Sequence, residues 1–348
     1  MRGERALTPF TLLAVTVVVA ACRSTGERES VITPAVSHGE HEASSVEAWT
    51  YRGRRGSVTA IGPLRAYTNT VGVLQQRVPR FARGVMDHCR ETLAPLPEPR
   101  GPLELYVLAT REDWTRMTLD LYGPEGLARY GAILRGGFTE RSRSLVWDLG
   151  VQDTFAIVAH ETWHQLAQSV LVEPLPVWLD EGLAAWSEGF RWDPLDPARA
   201  IHLPWANVER HDQLRADAET GRLMPLSRLL VERPQDLIKQ SDSAALGYYA
   251  QCWALAHFLV EGEGGRRREP LSRLLMDAQR GRVGAAVRAA HGQRAARNAL
   301  TRRVGSEVFE TYFGPVERAS AEYDRFVREV VAPGAKSRIV EGRSPIGP

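Results

Sequence analysis

Residues 156–165 read Ala-Ile-Val-Ala-His-Glu-Thr-Trp-His-Gln, and they dictate what kind of fold must surround them. No proline or glycine interrupts residues 153–169, and Phe155, Ile157, Val158, Trp163 and Leu166 recur at helical spacing. Asp153 or Thr154 is placed to cap the start. Apart from Glu161, the residues flanking His160 and His164 are uncharged, so the segment predicts a buried helix. On that helix, positions four apart lie on one face, one turn from each other. The fold must therefore bury two imidazoles and a carboxylate together. That arrangement is costly without a partner and productive with a metal ion.

The run is an HExxH motif, and catalytic zinc usually takes three protein ligands. The third is sought in residues 175–186, Leu-Pro-Val-Trp-Leu-Asp-Glu-Gly-Leu-Ala-Ala-Trp. Pro174 and Pro176 end the first helix and force a turn, and a second helix is expected from near Val177. Glu181 falls in its first turns. Gly182 and Ala184 are small enough for close approach to the first helix, and Asp180 is expected to face another direction.

His160-Glu-Thr-Trp-His164 followed by Trp178-Leu-Asp-Glu-Gly-Leu-Ala184 resembles the glutamate-zincin (gluzincin) metallopeptidases, in particular their bacterial peptidase-MA-like members. The resemblance spans roughly residues 100–330 and is strongest around the motif. It implies one Zn2+ per chain held by His160, His164 and Glu181, with Glu161 as general base. Gly247-Tyr-Tyr-Ala-Gln-Cys-Trp is similar to the group's tyrosine helix, which implies Tyr249 as a donor to the oxyanion. A strand before the metal helix, within 131–139 or 144–147, is implied as a cleft border able to pair with extended substrate. Two departures stand out. Thermolysin-type enzymes carry an Asp four residues beyond the ligand glutamate, where this chain has Ala185. Nothing resembles the Gly-Ala-Met-Glu-Asn strand of the related aminopeptidases, which favours endopeptidase over exopeptidase activity.

The expected fold is α+β and zincin-like. Residues 46–150 read as a mixed α/β part, with strands near 57–61, 64–67 and 103–108 and two more around the polar turn of 136–147. Helices are expected over 71–93, kinked or divided at Pro79, and over 111–121. Residues 151–332 read as mainly helical. After the two metal helices come a looser stretch over 190–224, a short helix near 225–231, the tyrosine helix over 245–261, and helices in 269–280, 284–290 and 306–331. The tail from 333 to 348 is expected to be disordered.

The N-terminus reads as a targeting segment. Arg2 and Arg5 precede an apolar stretch over 12–21, too short for a typical membrane span. Val19-Ala-Ala-Cys22 resembles a lipobox, which implies a lipoprotein signal peptide over 1–21 and a lipid on Cys22. A polar tether over 22–45 follows, and Arg23 in place of an aspartate implies an outer-membrane anchor facing the periplasm. With 44 Lys and Arg against 42 Asp and Glu, no nucleic-acid partner is expected. The expected partners are a peptide or protein substrate and the membrane.

Several other residues have plainer readings. Tyr248 and His257 suit core packing as well as a cleft. His202 and His211 lie in the looser stretch, where position alone makes either a candidate second oxyanion donor, and His38 and His41 read as solvated linker. Cys252 reads as a buried free thiol, while Cys89 leaves pairing open. The expected function is a zinc peptidase. The alternatives are a zincin-fold binding or envelope-assembly module without turnover, and zinc-dependent hydrolysis of a non-peptide amide or ester.

Overall fold

The computed structural model describes residues 15–16 and 45–347, except 134, 239 and 240. The signal-peptide, tether and Cys22 readings, with His38 and His41, lie essentially outside these residues. Among the described residues, no helix is long and apolar enough to cross a membrane.

The chain is α+β, as expected. Its first part is one mixed sheet. β2 (Ser45–Tyr51), β3 (Arg54–Ile61) and β4 (Leu64–Thr68) form an antiparallel meander, and β4 runs parallel to β5 (Leu103–Leu108). β5 is parallel to β7 (Arg143–Trp147), which pairs antiparallel with β6 (Gly136–Glu140). The two-residue β1 (Val15–Thr16) pairs with β6, giving the order β1-β6-β7-β5-β4-β3-β2. Alternation explains why β5 sits centrally. Leu103, Leu105 and Val107 enter the main core, while Tyr106 and Leu108 enter a second, smaller one.

On the main-core face lie α1 (Val73–Thr92) and α3 (Val151–Val170), the helix that carries the HExxH motif. α1 runs through Pro79 without being divided. On the other face, α2 (Arg111–Tyr130) packs Trp114 against Phe138 and Trp147. It outruns its expected end, with a break at Gly123 (φ 67°) before Pro124.

The second part is mainly helical. α4 (Val177–Ser187) starts at Pro176, and all eleven of its residues are buried. The stretch expected to be loose is ordered: β8 (Phe190–Trp192) and β9 (Ala200–His202) form a hairpin, followed by α5 (Val208–Glu219). Then come α6 (Leu226–Leu229), α7 (Pro234–Ile238), the tyrosine helix α8 (Asp242–Val260), α9 (Gly262–Gly265), α10 (Arg268–Gln279), α11 (Val283–Thr301), α12 (Glu307–Phe313) and α13 (Val316–Val330). The tail expectation needs correcting. Residues 335–340 form α14 (Ala335–Val340), which buries Ile339 and ties itself down through Lys336 to Asp212 and through the Val340 carbonyl to Arg191.

α4 and α8 cross in close contact. A Cβ built on Gly182 would stand 2.7 Å from the Cys252 carbonyl oxygen, so only glycine fits there.

Candidate metal centre

His160, Glu161 and His164 come from the middle of α3, where the helix lies over the sheet, and Glu181 comes from the second turn of α4. All four are buried, and His160, His164 and Glu181 converge. The Nε2 atoms of His160 and His164 are 3.3 Å apart. Glu181 Oε2 lies 3.4 Å from the first and 3.6 Å from the second. Tetrahedral zinc with bonds of about 2.0–2.1 Å needs ligand atoms about 3.3–3.4 Å apart. The triangle fits.

What stands behind each imidazole decides which nitrogen faces the triangle. His160 Nδ1 lies 2.8 Å from Glu188 Oε1, and that acceptor holds the proton on Nδ1 and leaves Nε2 as a lone pair. Asp180 Oδ1 sits 3.3 Å from His164 Nδ1, in ion-pair range without the alignment of a hydrogen bond. It also accepts from Trp163 Nε1 at 2.9 Å. Arg303 donates to Asp180, and Arg210 donates twice to Glu188, at 2.8 and 3.1 Å. Asn207 caps α5 with its side-chain oxygen and gives its amide to Glu188 at 2.8 Å.

Charge supports the same reading. Four buried carboxylates, Glu161, Asp180, Glu181 and Glu188, face two arginines, Arg210 and Arg303. A divalent cation would balance the excess. Burial works against protonating His160, but Glu181 and Glu188 outweigh it and raise its pKa. His164 is driven well up in the same way, against burial, by Asp180 and Glu181. Burial would likewise raise Glu188, yet Arg210 and His160 bring it down to about 2.

Residues 154–281 match the model of a family described as "Protein of unknown function (DUF1570)". No curated protein matches the chain. The matched stretch contains His160, Glu161, His164, Asp180, Glu181, Glu188, Arg210 and Tyr249.

Glu161 adjoins the triangle. Its Oε2 accepts from Thr139 Oγ1 at 2.6 Å, while Oε1 is buried with no partner. Burial raises its pKa. Tyr249 comes from α8, with its ring centroid 6.5 Å from that of His160 and the Arg210 guanidinium 5.5 Å over it. Its hydroxyl is buried without a partner, and burial and Glu181 drive its pKa well up. Tyr248 is buried beside Cys252.

The remaining histidines are occupied elsewhere. His257 stacks on Trp205 at 3.6 Å and lies 3.1 Å from Glu261. His202 packs on Phe81 and His88, and His211 sits by Asp212. Cys89 and Cys252 are buried free thiols.

Sequence reasoning missed Glu188, Asn207, Arg210 and Thr139, and it misjudged Asp180, which faces α3 after all. Glu188 carried a readable signal. It lies seven residues beyond Glu181, two turns along the same face, where Ala185 is only one turn along. Arg210 and Thr139 carried none.

Proposed function

We propose that this chain is a zinc-dependent peptidase, an endopeptidase held at the cell envelope by a lipid on Cys22. The observation that carries the reading is the triangle of His160 Nε2, His164 Nε2 and Glu181 Oε2, with the unpartnered Glu161 Oε1 beside it. When bound, zinc supplies Lewis acidity, which makes water acidic enough to lose a proton near neutral pH.

The chain's own residues do the rest. Glu161 takes a proton from water on Oε1 and later gives it to the leaving amine. Its raised proton affinity suits both transfers, because a base works best with a pKa near the working pH. The Tyr249 hydroxyl has no competing partner, so it is free to donate to the carbonyl oxygen as negative charge develops there. Glu188 orients the His160 imidazole through its hydrogen bond, and Asp180 stands 3.3 Å behind that of His164.

One observation favours a second reading, a zinc-holding binding or assembly module without turnover. His160, Glu161 and Tyr249 are fully buried, so a substrate reaches them only if the structure around them opens. Glu161 separates the two readings. Wild type should retain one zinc after dialysis, and His160→Ala and Glu181→Ala should lose it, by mass spectrometry. Glu161→Gln should keep the zinc and the melting temperature, and it should cleave a library-selected peptide roughly a hundredfold more slowly or worse. Equal cleavage by Glu161→Gln would refute the mechanism. A zinc-loaded wild type that cleaves nothing would leave the module reading.

A further inference from the structure

Glu161 is on a long, rotatable stem, and something must choose where its carboxylate sits. The β6–β7 hairpin does so. Arg141 and Ser142 both have left-handed φ (54° and 61°), as a two-residue hairpin loop matched to strand twist requires. That loop sets Thr139 directly across from Ser144.

α3 docks on this hairpin through one face. Glu161, Gln165 and Gln168 recur at i, i+4 and i+7. Gln165 Nε2 donates to the Ser142 carbonyl at 3.1 Å, and Gln168 Nε2 to the Thr139 carbonyl at 3.2 Å. Gln168 also accepts from Ser142 N at 3.0 Å. Gly137 points to the same side of β6 as Thr139. A Cβ built there would stand 3.1 Å from Glu161 Cγ and 2.9 Å from the Leu145 carbonyl oxygen. The strand thus leaves room for the glutamate stem at 137 and offers a hydroxyl at 139.

That hydroxyl has one proton and a choice of neighbours. Glu161 Oε2 lies at 2.6 Å, the Glu161 carbonyl at 3.2 Å and Ser144 Oγ at 2.6 Å. An ionised carboxylate is the strongest acceptor, and it is among the two nearest. Thr139 therefore donates to Oε2, and Ser144 donates to Thr139, a short chain in which each bond strengthens the next. All three residues are buried, away from bulk solvent.

We propose that Thr139 is the positioning residue for Glu161. It occupies Oε2, fixes the carboxylate on the hairpin side, and leaves Oε1 as the atom that takes the proton. The catalytic half of this statement rests on the peptidase reading, while the hydrogen bond does not.

The test compares Thr139→Val, which has the same shape without the hydroxyl, with Thr139→Ser, which restores it. Thr139→Ala serves if Thr139→Val does not fold. The first readout needs neither metal nor turnover. The full chain is labelled with 13Cδ-glutamate, and the Glu161 carboxylate signal is identified by its loss in Glu161→Gln. In metal-free protein that signal should move in Thr139→Val and return in Thr139→Ser. In zinc-loaded protein, kcat should fall about tenfold or more in Thr139→Val, the scale of a lost hydrogen bond to a charged group. KM and zinc content should hold, and Thr139→Ser should recover most of the rate. A Glu161 signal unmoved in Thr139→Val, or not restored in Thr139→Ser, overturns the proposal. So does an unchanged kcat. If the signal behaves as expected while wild type turns over no peptide, the positioning stands and the peptidase reading falls.

Discussion

Glu188 is where stability and metal affinity should come apart. It accepts two hydrogen bonds from Arg210, and the two side chains are only 6% and 2% exposed. Glu188→Gln keeps the volume and keeps an acceptor for His160 Nδ1, but it strands a guanidinium in the core. Breaking a buried pair from one side costs about 3–5 kcal/mol. The depressed pKa of Glu188 corresponds to a similar figure. Glu188 is held at about 2 against an ordinary 4.5, and at 1.36 kcal/mol per pKa unit that is about 3 kcal/mol. Because the folded pKa is depressed, this stability is present above pH 4.5 and is lost as pH falls towards 2. Adding Arg210→Met removes the stranded charge, and the double variant should return to within about 2 kcal/mol of wild type. Zinc affinity should not return. Both the single and the double variant replace a carboxylate behind His160 by an amide, a change expected to weaken binding by about 10–100-fold. Urea unfolding in EDTA, followed by tryptophan fluorescence, measures the first quantity, and competition with a chromophoric chelator measures the second. A single-variant cost under about 1 kcal/mol would refute the reasoning, as would a double variant no more stable than the single.

Two further outcomes follow from the cysteines. Replacing Cys22 with Ser should abolish incorporation of a lipid precursor and release the protein from the membrane fraction, and persistent label would sink the lipid-anchor reading. In that variant only Cys89 and Cys252 remain; burial pushes Cys89 up to about 12 and also drives Cys252 well up, so neither should react with a thiol reagent at pH 8 until urea is added.

The parts of the fold legible in the sequence are those that bury apolar groups at regular spacing. α3 shows its buried face through Phe155, Ile157, Val158, Trp163 and Leu166, and β5 shows its two through strict alternation. Proline marks the start of α4. α5 was hidden because what it buries is mostly polar: Arg210, His211 and Asp217 accompany the single apolar Leu214. α14 was hidden because a short polar helix holds on through Ile339 and a few long-range bonds. The candidate ligands were readable because 160, 164 and 181 are close along the chain. Arg210 and Thr139 reach the site from other elements, and their partners are set by tertiary structure alone.

Gly182 has a consequence for how such a site can change over time. The α4–α8 crossing brings one backbone against another, so the height of Glu181 relative to Tyr249 is set by main chain rather than by replaceable side chains. A descendant of this protein could not retune that spacing one substitution at a time. Any larger residue at 182 would separate the helices and carry the third donor away from its neighbours. Diversification is thereby confined to the loops and surface residues away from that crossing, which can lengthen or be exchanged. The centre is inherited whole or lost whole, while its approaches remain open to selection.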